Sequence, residues 1–117
     1  MGTDAERTLP LLKGTLDLLV LKALSWRALH GFAIASWLET STDGDLGVDD
    51  SALYQALHRL EARGLVEAEW GITENNRRAR FYRLTPAGRQ RLKEEMATWL
   101  RYTRSVTHVL TAAPRPA

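Results

Sequence analysis

The sequence predicts a mainly α fold with one small β-hairpin (α+β). Three observations carry this reading: helical spacing of apolar residues over four stretches, a switch to apolar–polar alternation after Gly64, and turn-forming residues between the stretches. With 117 residues, the chain has room for one sizeable core and not for two.

Leu9–Leu24 reads as the first helix. Leu18, Leu19, Val20 and Leu21 are consecutive and point to four sides of a 3.6-residue turn, so burial all round is expected. In so short a chain, one flank is expected on the domain core. The other, with Leu12, Leu16 and Leu19, is expected on a partner subunit; a central core helix of a monomer is the alternative reading. Ser25–Gly31 then turns, and Phe32–Leu38 starts a second helix packing through Phe32, Ala35, Trp37 and Leu38. Thr40–Gly44 stops it, being rich in residues that bond their own backbone or tolerate positive φ. Asp49 and Asp50 are N-cap candidates for a third helix running to Arg63, with Gly64 at C′.

Val66, Ala68 and Trp70 alternate with Glu67 and Glu69, the pattern of a half-exposed strand. Phe81–Leu84 makes a second strand with Tyr82 and Leu84 on one face, and the polar stretch Gly71–Arg78 turns between them into a hairpin. Thr85 as N-cap and Pro86 at N1 open a fourth, long helix. Residues 1–8 and Thr111–Ala117 are expected to be flexible tails. Helix, helix, helix, hairpin, long helix is the order of a winged helix-turn-helix over residues 9–85, followed by a C-terminal dimerisation helix over residues 86–110.

Composition narrows the function classes. Cysteine is absent, which excludes disulfides, thiolate metal sites and a cysteine nucleophile. Met1–Pro10 has no apolar core of a secretory signal, and Leu18–Leu21 is far short of a membrane span, so an unsecreted, cytoplasmic protein without membrane contact is expected. The three histidines, His30, His58 and His108, share no ligand spacing, and no glycine-rich phosphate loop occurs. Neither an enzyme nor a cofactor is implied, and His30 before Gly31 reads as support for a turn. Charge is uneven: residues 1–50 carry a net −4 and the remainder +6. A basic half on a near-neutral chain suggests one surface that meets a polyanion.

The third helix decides most of the functional reading. At 100° per residue, Leu53, Leu57, Leu60 and Gly64 form a core stripe, and the opposite face carries Ser51, Gln55, His58, Arg59 and Ala62. That face is short-chained or hydrogen-bonding and has no carboxylate, as a helix entering the major groove of double-stranded DNA requires. Tyr54 lies on the flank, where its ring can pack while its hydroxyl reaches a phosphate; Glu61 lies where it does not block the groove. Asn76, Arg77 and Arg78 at the hairpin tip, with Arg80 just inside the returning strand, read as a clamp on the DNA backbone or minor groove. Along the fourth helix, Leu92, Met96, Trp99, Thr103, Val106 and Leu110 follow steps of four and three, an a/d seam that favours a homodimer. Two-fold symmetry would then require a pseudo-palindromic site. Trp26, Trp37 and Trp70 are expected to pack in or at the edge of the core.

These residues occur in motifs. Gly14–Leu21, His30-Gly31 with Ile34-Ala35, Ser51–Tyr54 with Ala56–Glu61, Trp70-Gly71 with Asn75–Arg78, and Tyr82–Gly88 stand in this order. On these motifs the chain resembles the PadR family of bacterial transcriptional regulators, in its short form with a single C-terminal helix. The resemblance implies a dimeric winged-helix repressor, released from DNA in many members by a small, often aromatic molecule. It also implies that Trp99 is a candidate ligand contact, because some relatives hold planar compounds between tryptophans of the paired C-terminal helices. The competing reading is that Trp99 only fills the seam. Two residues depart from the family pattern: Asp50, where glycine is usual, and Gln55, where proline is usual. Asp50 caps the helix but repels phosphate, and Gln55 adds a bidentate group able to read adenine. The alternative function is a winged-helix module that binds protein and not DNA.

Overall fold

The computed structural model describes residue 9, residues 11–12 and residues 14–115. The tail expected at residues 1–8 and the end of the other, 116–117, lie outside the described residues. The elements in chain order are α1 (Thr15–Ala23), β1 (Leu29–His30), α2 (Gly31–Ser41), α3 (Asp50–Ala62), β2 (Val66–Ile72), β3 (Arg78–Leu84) and α4 (Pro86–Leu110).

The first helix begins at Thr15 and not at Leu9. Gly14 takes φ 90°, which a helix cannot continue through, and the Thr15 hydroxyl donates to the Leu12 carbonyl oxygen at 2.7 Å. Leu9 instead bridges Leu46 in parallel. Burial all round is met largely within one copy: Leu18, Val20, Leu21 and Ala23 are buried, and Leu16 and Leu19 pack partly against the same core. Only Leu12 of the three residues assigned to a partner is left exposed.

The second helix starts one residue earlier than expected, capped by His30, whose Nδ1 accepts from the Ala33 backbone N–H at 3.3 Å. Its core stripe is Ile34 and Leu38. Phe32 lies about 160° round the helix from Ile34 and is exposed, which corrects its assignment to the core. The third helix matches its reading closely: the Asp49 carboxylate accepts from the Ala52 N–H, and Gly64 follows the helix with φ 72°.

The hairpin strands are longer and the turn shorter than expected. β2 pairs antiparallel with β3 from Val66↔Leu84 to Ile72↔Arg78, so Arg78 opens the returning strand and only Arg77 of that pair is in the turn. The sheet has a third strand beyond the expected hairpin: Leu29–His30 pairs with Tyr82 and Phe81, giving the order β1-β3-β2. Two residues are too few for a periodic signal.

Thr85 caps α4, its hydroxyl accepting from the Gly88 N–H at 3.0 Å and donating to the Gly64 carbonyl at 2.7 Å. The start of α4 is thereby knotted to the end of α3, and a Cβ on Gly88 would run into the Leu65 carbonyl oxygen. Gly88→Ala is therefore expected to cost about 1–3 kcal/mol through overpacking against backbone, read as a lowered midpoint in thermal unfolding.

The dimer seam is divided. Leu92 is buried in the monomer's own core and Met96 and Trp99 pack partly against it, which corrects the expectation that the whole seam is free for a partner. Beyond Trp99 the helix leaves the domain: Val106, Val109 and Leu110 are exposed. A radius of gyration of 17.0 Å, against about 13 Å for a compact chain of this length, reflects that projection.

Candidate nucleic-acid interface

Residues of α3 and the wing (β2, β3 and their turn) come together along two adjoining depressions. Ser51, Tyr54, Gln55, His58 and Arg59 line an open trough along the exposed side of α3. Tyr54 also lines a groove of about 990 Å³ between α2 and the wing, into which Arg77, Arg78 and Arg80 project. Tyr54 thus joins the two surfaces. Its ring is held close over Gly31: a Cβ there would stand 2.7 Å from the phenol oxygen, so the family-like His-Gly pair serves both as the cap of α2 and as the seat of this ring.

Ion pairs divide the arginines into two kinds. Arg59 donates from Nη2 to Asp17 Oδ1 at 2.7 Å, across from α3 to α1, with its Nε 3.5 Å from Oδ2. This hydrogen bond raises the Arg59 pKa above its ordinary value. Arg80 donates to Glu61 at 3.0 Å, tying the wing to the other flank of α3, and its guanidinium also lies 5.7 Å from the Tyr82 ring centre. Both were read from the sequence as DNA contacts; each is held by a carboxylate on a neighbouring element. The pairs act as struts on opposite sides of α3.

Arg77 and Arg78 carry no such pairing among the described ion pairs. Arg77 closes the turn, its N–H donating to the Thr73 hydroxyl at 3.1 Å. Asn76 takes φ 62°, a left-handed position that asparagine tolerates well, and its N–H donates to the Thr73 carbonyl. The Arg78 guanidinium stacks 4.6 Å from the Trp70 ring centre. Trp70 is 59% exposed, contrary to the core-edge role expected for it. Trp26 is exposed too but leans edge-on against half-buried Trp37 at 5.4 Å.

On the outer face of the hairpin, Arg83 is bound by Glu67 at 2.8 Å and lies 3.4 Å from Glu69, which raises its pKa and takes it out of any anion site on that face. Apolar spacing assigns Phe32 and Trp70 to packing positions and Glu61 to the flank of α3, and no periodicity relates Asp17 to Arg59, so the part these four take in this surface follows from the tertiary structure. Among the described residues no group of His, Asp or Glu is placed to hold a metal ion, and no helix is long and apolar enough to cross a membrane.

Comparison with known proteins points the same way. The model of the transcriptional regulator PadR-like family matches residues 20–94. A transcriptional regulator of Mycobacterium tuberculosis is 44% identical over 69 residues, covering 57% of this chain and 59% of that protein. The solved structure of a transcriptional regulator from Clostridium thermocellum superposes with a TM-score of 0.73 at 26% identity, covering 81% of this chain and 92% of that one. Bacillus subtilis PadR, solved in complex with operator DNA, shares the fold with a TM-score of 0.62 at 21% identity, over 88% of this chain and 51% of its own.

Proposed function

Because the chain belongs to the PadR-like family of transcriptional regulators, and not to a family of enzymes, we propose that it represses transcription as a homodimer on a pseudo-palindromic operator. Residues 9–85 bind the DNA and residues 86–110 pair the two copies. The observation that carries this reading is the carboxylate-free trough of α3 opening beside a groove lined by Arg77 and Arg78, which have no ion-pair partner among the described residues. A relative of the same fold has been seen on operator DNA. Each copy lays α3 in a major groove, Ser51, Gln55 and His58 meeting base edges, while Asn76, Arg77 and Arg78 grip the adjacent backbone. Arg59 and Arg80 brace α3 and turn toward phosphates only as their carboxylate partners allow. A small effector that altered the angle between the paired α4 helices would misalign the two reading heads. Trp99 is half-buried against its own core, which supports a packing role over a ligand contact.

The test is a fluorescence-anisotropy titration of DNA from upstream of the protein's own gene, with a shuffled duplex as control. Selective binding of the first supports the reading. If genome-wide selection also yields no preferred sequence, the protein-binding alternative replaces it. Two variants probe the division of labour. Gln55→Ala is expected to relax discrimination at one base pair, by about 1–3 kcal/mol, with binding to the shuffled duplex unchanged. Asp17→Asn frees Arg59 for phosphate, so the slope of log K against log salt should steepen by about 2 for a dimer. An unchanged slope would mean that Arg59 never reaches the DNA.

A further inference from the structure

Three large apolar side chains face solvent on the side of the molecule that carries the proposed interface: Phe32 is 78% exposed, Ile72 62% and Trp70 59%. Two of them stand on opposite walls of one groove, Phe32 on the first turn of α2 and Trp70 on the wing. Strand alternation explains how Trp70 and Ile72 come to be there. They continue the face of β2 that begins with Val66 and Ala68, beyond the point where the core ends. Among the described residues these rings make surface contacts and no core contact: Phe32 stacks on the His30 ring at 6.4 Å, and Trp70 carries the Arg78 guanidinium. The core stripe of α2 runs through Ile34 and Leu38, and the sheet's buried contribution ends near Tyr82.

We propose that Phe32 and Trp70 form an apolar contact to the sugar edge of a DNA strand seated in this groove, supplying a part of the affinity that does not depend on salt. The inference rests on the DNA-binding reading above and adds an occupant to a groove which that reading used only for its arginines. Charge complementarity selects the occupant: Arg77 and Arg78 line the groove without a carboxylate partner among the described ion pairs, Arg80 is tied to Glu61, and Glu74 is the acidic residue of the lining. Continuity selects it again, since Tyr54 belongs both to this groove and to the α3 trough. A DNA strand is anionic at its phosphates and apolar at its deoxyribose faces, the combination these walls present. A purely ionic clamp needs no exposed rings, and an enclosed pocket for a small apolar molecule would not carry three guanidinium groups. The stacking of Arg78 on Trp70 fits the same occupant, because the ring orients the guanidinium while keeping its own remaining surface for a sugar.

The experiment measures operator affinity of the full chain across a salt series for Phe32→Ala, Trp70→Ala and Trp70→Phe, beside Arg77→Ala/Arg78→Ala. Each alanine variant at a ring is expected to bind roughly tenfold more weakly at every salt concentration. The slope of log K against log salt should equal that of the wild type, because no counterion is released by a ring. Melting temperatures should also match the wild type, since both rings are exposed, and Trp70→Phe should recover most of the affinity. The arginine variant differs from these by flattening the slope. Wild-type affinity in both alanine variants overturns the proposal while leaving the DNA-binding reading intact, provided that the wild type is selective and the arginine variant is weakened. A ring variant that loses affinity only together with thermal stability also overturns it. If the wild type shows no selectivity and the arginine variant no change, both readings fall together.

Discussion

Arg77→Ala/Arg78→Ala should lower operator affinity about a hundredfold or more at near-physiological salt, with the loss shared by specific and shuffled DNA. These are the two wing arginines without a carboxylate partner among the described ion pairs, so their charge is available to phosphate. Two copies of two cations correspond to as many as four phosphate contacts, and each released counterion contributes about 0.9 to the salt slope. The slope should therefore fall by about 3 to 4. Arg83→Ala is the control: bound to Glu67 on the outer face of the hairpin, it should alter neither affinity nor slope. An equal effect from Arg83 would mean that overall charge and not wing geometry governs binding.

Val106→Asp/Leu110→Asp should give a folded monomer that binds the operator about 10²–10⁴ times more weakly, as the second half-site loses its tethered reader. Both side chains are exposed on the projecting part of α4 and lie outside the core cluster, so the substitution leaves the monomer's core intact. Carboxylates facing each other across a paired seam repel and are costly to desolvate. Sedimentation at micromolar concentration should show the mass halved, while the circular dichroism of the domain is retained. Leu92→Ala provides the contrast. That residue is 8% exposed in the monomer's own core, and its truncation should cost about 2–4 kcal/mol of stability. A dimer that survives the double substitution would move the seam elsewhere.

Much of the fold was legible in the residues themselves. Asp49, Thr85-Pro86 and Gly64 mark helix ends through bonds to backbone within four residues, and such local signals do not depend on how the chain is arranged in space. The two faces of α3 follow from 3.6-residue periodicity alone, which is why Leu53, Leu57 and Leu60 are buried and Ser51, Gln55 and His58 exposed as expected. The first helix misled because an apolar run continues through a glycine whose φ breaks it, and because composition does not say which copy of the chain covers a side chain.

By itself, then, the sequence determined the order and type of the helices, the hairpin and the exposed face of α3, carried by short-range spacing, while its motifs carried the family resemblance. Tertiary structure decided what each charge and ring is free to do. Arg59 meets Asp17 across 42 positions and Arg80 meets Glu61 across 19, separations at which no periodicity relates one residue to another. The same holds for β1 on β3, for the half of the α4 seam taken by the monomer's core, and for the exposure of Phe32 and Trp70. Pairing and burial are properties of two elements meeting in space, and each element's own sequence specifies only what it has to offer.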